Sequence, residues 1–189
     1  MKILIIGNGI AGLSAAEEIR KKNKEVDIQI ITKEKYHTYY RTQLSHFLSK
    51  DFKVEDIYVK PEKWYRENNI KVHLNIEVIS INKDNKRVKL SNNQELTYDK
   101  LLIANGAHSF IPPIDGNDKE GVFSLRYFND LQKIQEYASR IDKGIVIGGG
   151  LLGLEAANSL NKLGIETLVI EYFDRLLPRQ LDQEGSELL

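Results

Sequence analysis

An α/β protein made of two strand–glycine turn–helix–strand units in series is what this sequence predicts. Three stretches predict it. "KILIIGNGIAGLSAAEEIRKK" opens the chain and "GIVIGGGLLGLEAANSLNKLG" repeats its pattern after residue 143. Each is followed by a second apolar run, "VDIQII" and "ETLVI", so that each makes a βαβ start in about thirty residues.

The elements follow in order. Lys2–Ile6 is a continuous apolar run of the kind covered on both faces in a parallel sheet. Gly7-Asn8-Gly9 is the turn. From Ile10 to about Lys22, the residues Ile10, Leu13, Ala16 and Ile19 fall at helical spacing, with Glu17, Glu18, Arg20 and Lys21 facing away. Asn23 and Lys24 end this helix, and Val26–Ile31 forms the second strand. "YHTYYRTQLSHFLSKDF" reads as a tyrosine-rich loop entering a short helix, and "PEKWYRENN" places proline at a first helical turn. The stretch 70–106 reads as a meander, with Ile76–Ile81 and Arg87–Leu90 alternating around the turn cluster Asn82-Lys83-Asp84-Asn85. Within it Lys100–Ala104 is another buried strand. "FIPPIDG" is a stiff extended connector and marks the expected boundary between domains 1–110 and 111–189. Beyond it come a helix over Tyr127–Arg140, then Gly144–Ile147, Leu151–Leu163 and Glu166–Ile170. A last helix is expected to begin within "LDQEGSELL".

Composition narrows the function classes. Twenty-seven basic residues balance 27 acidic ones, so no general field attracts nucleic acid or an anionic membrane. No run approaches the roughly 20 apolar residues of a membrane span, and "ILII" is too short for a signal peptide; a cytoplasmic location is expected. The 189 residues include no cysteine, which excludes disulfides, thiolate nucleophiles, redox-active dithiols and cysteine-ligated iron–sulfur clusters within them. The four histidines, His37, His46, His73 and His108, lack metal-ligand spacing, so no metal site is expected. Chemistry here is expected to be carried by a bound cofactor.

Gly7-x-Gly9-x-x-Gly12 and Gly148-x-Gly150-x-x-Gly153 each sit between a strand and a helix. The first glycine permits the tight turn, the second lets backbone approach a pyrophosphate, and the third lets helix and strand pack closely. A helix N-terminus then offers its N–H groups and the positive end of its dipole to the phosphates. The alternative is a plain helix-packing turn. An acid ~20 positions on would bind ribose hydroxyls; Glu171 fits this place in the second unit, and Glu34, next to Lys35, is the nearest acid in the first. Either could instead be a solvated residue past a strand. An acid at 171 disfavours the 2′-phosphate of NADPH, a preference slightly weakened by nearby Arg175.

On these motifs the chain resembles the FAD-dependent pyridine-nucleotide oxidoreductase family over essentially all its residues. Within that family the likeness is greatest to NADH:rubredoxin oxidoreductases and to the flavoprotein part of NAD(P)H nitrite reductases. Gly7, Gly9, Ile10, Ala11 and Gly12 match its FAD fingerprint. "YYRTQLS" matches its Tyr-Arg-x-x-Leu-Ser segment, which implies Arg41 near the FAD phosphates. Val78 matches a backbone contact to adenine. "TYDKLLIANGAHSFIPPIDG" matches the segment closing the first FAD stretch, with Ala104-Asn105-Gly106 in place of Ala-Thr-Gly. Gly148, Gly150, Leu152 and Gly153 match the NAD fingerprint, and Glu155 the family's recurring acid one turn into that helix. Some members have a lysine after Leu-Ser where this chain has His46, which is either a flavin contact or a helix-surface residue. Tyr39 and Tyr40 either pack over the cofactor or pack the loop.

The resemblance implies tandem Rossmann-like FAD and NAD(P) folds of the glutathione-reductase-like kind, the second truncated, in a chain expected to be a piece of a longer protein. It implies FAD and NADH as cofactors, with NADPH less favoured, and no protein acid or base as catalyst. It further implies an acceptor such as rubredoxin or a nitrite-reductase metal centre, and a homo-oligomeric parent. Missing cysteines set aside the disulfide-reducing and peroxidase-like members. The rival readings are an NADH oxidase using oxygen, a non-catalytic FAD/NADH sensor, and a half-length protein completed by another subunit.

Overall fold

The computed structural model describes residues 1–189, and its contacts divide them into two compact units. Unit 1 is Met1–Tyr40 with Lys53–Ala107; unit 2 is Arg41–Phe52 with His108–Leu189.

Unit 1 is built on β1 (Lys2–Ile6), α1 (Ile10–Lys22) and β2 (Asp27–Ile31), close to the expected bounds. Further on come α3 (Glu62–Glu67), β3 (Ile70–His73), an antiparallel sheet of β4 (Val78–Asn82), β5 (Arg87–Leu90) and β6 (Glu95–Thr97), and finally β7 (Lys100–Ile103). The main sheet runs β3-β2-β1-β7 with every pair parallel. Ile3 pairs with Ile28 on one side and Lys100 on the other, which fixes the register. Leu4 and Ile5, neighbours on β1, are both fully buried, so both faces of this strand are covered. On one face Ile5, Leu13, Ala16, Val26, Ile28, Ile30, Tyr65 and Ile70 form a core beneath α1 and α3. On the other, Leu4 and Ile31 meet Val88 and Leu90 of the antiparallel sheet. Each fully buried leucine or isoleucine here contributes about 1.5–3 kcal/mol.

Two sequence expectations are corrected. The stretch from residue 70 is not one meander: β3 joins β2 in parallel, because α3 provides a helical crossover and Ile70 is drawn into the helix-side core. Arg20 does not face solvent but is 5% exposed. Its Nε donates to Asn68 O at 2.7 Å, its Nη1 to Asn23 O and Lys24 O at 3.3 and 2.6 Å, and its Nη2 to Val26 O and Asn69 O at 2.8 and 3.0 Å. A guanidinium supplies enough donors for five carbonyls, and the charge also complements the negative end of α1.

Unit 2 contains α2 (Leu44–Phe47), α4 (Phe128–Ala138), β8 (Lys143–Ile147), α5 (Leu151–Lys162), β9 (Glu166–Ile170) and α6 (Gln183–Glu187). β8 and β9 are parallel, with Gly144 opposite Thr167. The segment Arg41–Phe52 is tied to this unit by polar and apolar contacts. Gln135 Nε2 lies 3.1–3.3 Å from the carbonyl oxygens of Phe47, Leu48 and Lys50. Phe52 stands between Phe47 at 4.3 Å and Phe128 at 5.6 Å, ring centre to ring centre. No helix of the protein is long and apolar enough to cross a membrane.

Trp64, the single tryptophan, packs against the helix-side core of unit 1 and reports on it alone. Arg20→Met strands five carbonyl groups and is expected to lower the stability of unit 1 by about 2–4 kcal/mol, read by urea unfolding of Trp64 fluorescence.

Candidate functional site

In unit 1 the turn after β1 is set by backbone geometry. Gly7 has φ +106°, a conformation side chains rarely adopt, and its N–H donates to Ile31 O at 2.7 Å. A Cβ on Gly7 would run into the carbonyl oxygen of Ala104, and one on Gly12 into the carbonyl oxygen of Gly7. Gly9 differs, because a Cβ there would meet nothing within 4 Å. Gly9 is also the N-cap of α1, with no side-chain cap bond and no acidic residue in the first helical turn. The first helical N–H groups, at Ile10, Ala11 and Gly12, therefore present an uncompensated positive end beside open space.

Unit 2 repeats this in detail. Gly148 has φ +115° and donates to Ile170 O at 2.7 Å; Gly153 is held against the carbonyl oxygen of Gly148; Gly150 is an uncapped N-cap with nothing within 4 Å of its Cβ position. Leu152 follows in the first turn of α5 and is 63% exposed. The chemistry of both sites suits a diphosphate: open space at the second glycine, an uncapped helix N-terminus, and no carboxylate in the first turn to repel it.

The extra glycine of the second turn has a separate cause. Gly149 N–H donates to Glu171 Oε2 at 2.6 Å, and Gly149 O accepts from Leu177 N–H at 3.0 Å. Its Cβ position lies 2.6 Å from Leu176 Cδ2, so the segment after β9 closes onto this residue.

The two candidate ribose acids are held in different ways. Glu171 directly follows β9; Phe173 N–H donates to its Oε1 at 3.0 Å, and this bond together with that from Gly149 holds the carboxyl below the usual glutamate range. Glu34 lies three residues past β2. Its N–H bonds to Thr32 Oγ1 at 3.2 Å, its carbonyl accepts from Asn75 N–H at 3.0 Å, and Tyr39 OH donates to its Oε2 at 2.6 Å.

The other expected residues divide between the units. Lys35, whose Nζ lies 5.1 Å over the Tyr36 ring, belongs to unit 1 with Val78, Ala104, Asn105 and Gly106. Val78 pairs with Leu90, Ala104 N–H donates to Ile6 O at 2.7 Å, and Gly106 takes φ +71°. Arg41 belongs to unit 2, where Nη1 donates to Arg126 O at 2.9 Å and the guanidinium lies 4.9 Å over Tyr127. Glu155, one turn into α5, accepts from Ser45 Oγ at 2.5 Å, while Ser159 Oγ donates to Ser45 O at 2.8 Å. His46 is exposed, with Nε2 2.6 Å from Lys50 Nζ.

Sequence reasoning missed a buried polar cluster beneath the first turn. Thr38 Oγ1 lies 2.9 Å from Asn8 O and 3.0 Å from Asn8 Oδ1, and Tyr65 OH donates to Thr38 Oγ1 at 3.0 Å. Burial pushes the Tyr65 phenol up and the His37 imidazole, stacked on Tyr65 at 4.5 Å, down. The one signal available in sequence was Asn8 itself, a polar residue set between two fingerprint glycines.

Two glycine-turn βαβ units, each with an acid past its second strand, define the class of α/β proteins with paired dinucleotide-type folds. The chain belongs to the pyridine nucleotide-disulphide oxidoreductase family, whose pattern matches residues 1–189. This is the family the sequence motifs resemble, and the α/β class expected of it holds. Over 191 residues the chain is 39% identical to the large subunit of NADH nitrite reductase from Escherichia coli (strain K12), covering 100% of this chain and 22% of that protein. It is 38% identical over 197 residues to an NADH oxidase of Methanocaldococcus jannaschii, covering 100% and 44%. The crystal structure of NADH:rubredoxin oxidoreductase from Clostridium acetobutylicum superposes with a TM-score of 0.88 at 36% identity, covering 98% of this chain and 48% of that one. The chain thus spans between 22% and 48% of the length of these relatives.

Gly12→Ala sets a Cβ against backbone and is expected to cost unit 1 about 2–4 kcal/mol, whereas Gly9→Ala, with open space and φ −86°, changes stability by less than about 1 kcal/mol; urea titration on Trp64 separates them. Glu171 has its carboxyl held low in the folded state, so it stabilises above the ordinary glutamate range and that contribution fades as pH falls through the lower folded value. The melting-temperature gap between wild type and Glu171→Gln should therefore be constant near neutrality and close only in acid below the normal glutamate range.

Proposed function

We propose that unit 1 binds FAD, that unit 2 binds NADH, and that the protein is an NADH-dependent flavoprotein oxidoreductase. The observation that carries this reading is the repetition itself: one chain builds the same open, uncapped glycine cradle twice. Bound FAD would supply the redox chemistry, as the acceptor of a hydride from the nicotinamide. This chain's residues bind and orient. Gly7, Gly9, Ile10, Ala11 and Gly12 take the FAD diphosphate on the start of α1, and Glu34 with Lys35 takes the adenosine end. Val78 and Ala104–Gly106 line the same ligand by backbone. Gly148, Gly150, Leu152 and Gly153 hold the NADH diphosphate and Glu171 its ribose, and Glu155, one turn into α5, belongs to the same nucleotide site.

Glu171 favours NADH over NADPH because its ionised carboxylate opposes a 2′-phosphate. Within the same reading, electrons leave for a redox protein of the rubredoxin kind or a nitrite-reductase metal centre, in a cytoplasmic, homo-oligomeric whole protein. The likeness to an NADH oxidase at 38% identity supports oxygen as a second acceptor.

Reconstitution with FAD tests the reading. Wild type should retain FAD through gel filtration, with its visible absorbance intact, and Gly9→Ala should bind it at least about tenfold more weakly while keeping its fold. A chain that takes up no FAD, or a Gly9→Ala variant that binds it as wild type does, overturns the assignment. In the whole protein, anaerobic NADH should bleach the flavin; oxygen uptake compared with rubredoxin reduction then separates the acceptors.

A further inference from the structure

We propose that Tyr39 is a positioning residue for Glu34: its phenol hydroxyl fixes the carboxylate where it receives the adenosine ribose hydroxyls of FAD. The inference rests on the assignment of FAD to unit 1 and adds a residue that acts through the acid rather than on the ligand.

The two candidate acids of this chain face the same physical problem and meet it differently. A glutamate side chain loses rotamer entropy when a ligand fixes it, and this loss weakens binding unless the folded protein has already fixed it. Glu171 directly follows β9 and is fixed by backbone, with N–H donors from Gly149 and Phe173 at 2.6 and 3.0 Å. Glu34 stands three residues beyond β2, and its carboxylate accepts a hydrogen bond from a side chain, Tyr39 OH at 2.6 Å.

Tyr39 is itself held in place. It is 6% exposed, bridges Tyr58 in antiparallel register, and is flanked by the bonds Val59 N–H to Thr38 O and Tyr40 N–H to Ile57 O, each 2.9 Å. The glutamate backbone is anchored on both sides, at Thr32 Oγ1 and Asn75 N–H. The phenol is therefore a rigid donor aimed at a side chain whose root cannot shift. Its neutrality matters as much as its position. A lysine or arginine there would add a positive charge at the carboxylate, whereas a phenol O–H orients it without adding one.

The test is a fluorescence titration of wild type, Tyr39→Phe, Glu34→Gln and the double variant with two probes: FAD, and FAD whose adenosine is 2′,3′-dideoxy. Tyr39→Phe keeps the buried ring and removes only the hydroxyl. It should weaken FAD about tenfold and leave the dideoxy analogue within about twofold of wild type. In the Glu34→Gln background the same substitution should have little further effect. Equal weakening of both ligands would mean that Tyr39 only supports the loop, and no weakening of FAD would mean that it does not act on Glu34; either overturns the inference and leaves FAD in unit 1. Wild type that fails to bind FAD overturns the FAD assignment as well, whereas FAD binding that ignores the ribose hydroxyls overturns only the roles of Glu34 and Tyr39.

Discussion

The close approach of a helix to the strand before it governs both halves of this protein. Gly12 rests against the carbonyl of Gly7, and Gly153 against that of Gly148, at separations that admit no side chain. Once a helix is laid so near its strand, the intervening turn has only a few conformations, and the first glycine must adopt positive φ. The helix then begins with bare N–H groups at the carboxyl end of the parallel strands. At the second glycine nothing lies within 4 Å of the Cβ position in either unit. The open, uncapped turn is thus a by-product of packing, which is why two copies of the packing make two copies of the turn.

Around that shared geometry the two units are finished differently. In unit 1 the Gly7 turn is closed by Ala104 at the end of β7 and floored by Asn8, Thr38 and Tyr65. In unit 2 nothing lies within 4 Å of the Cβ position of Gly148, and the segment from Glu171 to Leu177 closes on Gly149 instead. One turn is braced from the end of β7 and from below, the other from the chain that leaves β9.

What was legible in the sequence follows from how local its cause was. β1, α1 and β2 came out to within a residue or so, because apolar runs, helical spacing and a glycine turn are written in consecutive residues. The extra glycine was visible, but its reason was not, since Leu176 and Glu171 lie beyond the next helix and strand. β3 was misjudged because a four-residue strand carries no pattern that tells a parallel partner from an antiparallel one. Arg20 was misjudged because its burial depends on carbonyl groups from Asn23 to Val26 and from Asn68 and Asn69, which meet only in the folded chain. Of the candidate site, the glycines, Glu34, Glu155 and Glu171 are marked in the sequence by spacing or by resemblance. The partners that hold the glutamates, Tyr39 and Ser45 among them, are not.

The excursion of Arg41–Phe52 into unit 2 sets an order on the birth of the molecule. Those residues leave the ribosome long before α5 exists, yet Ser45 finds Glu155 and Ser159 more than a hundred positions later. Leu44 and Leu48, both 1% exposed in the finished fold, must wait as an apolar strap while the second part of unit 1 is made. Closing so long a loop is slow and leaves greasy surface unsheltered in the interval. The strap that completes unit 2 is therefore also a stretch through which an emerging chain is open to a chaperone, or to another copy of itself.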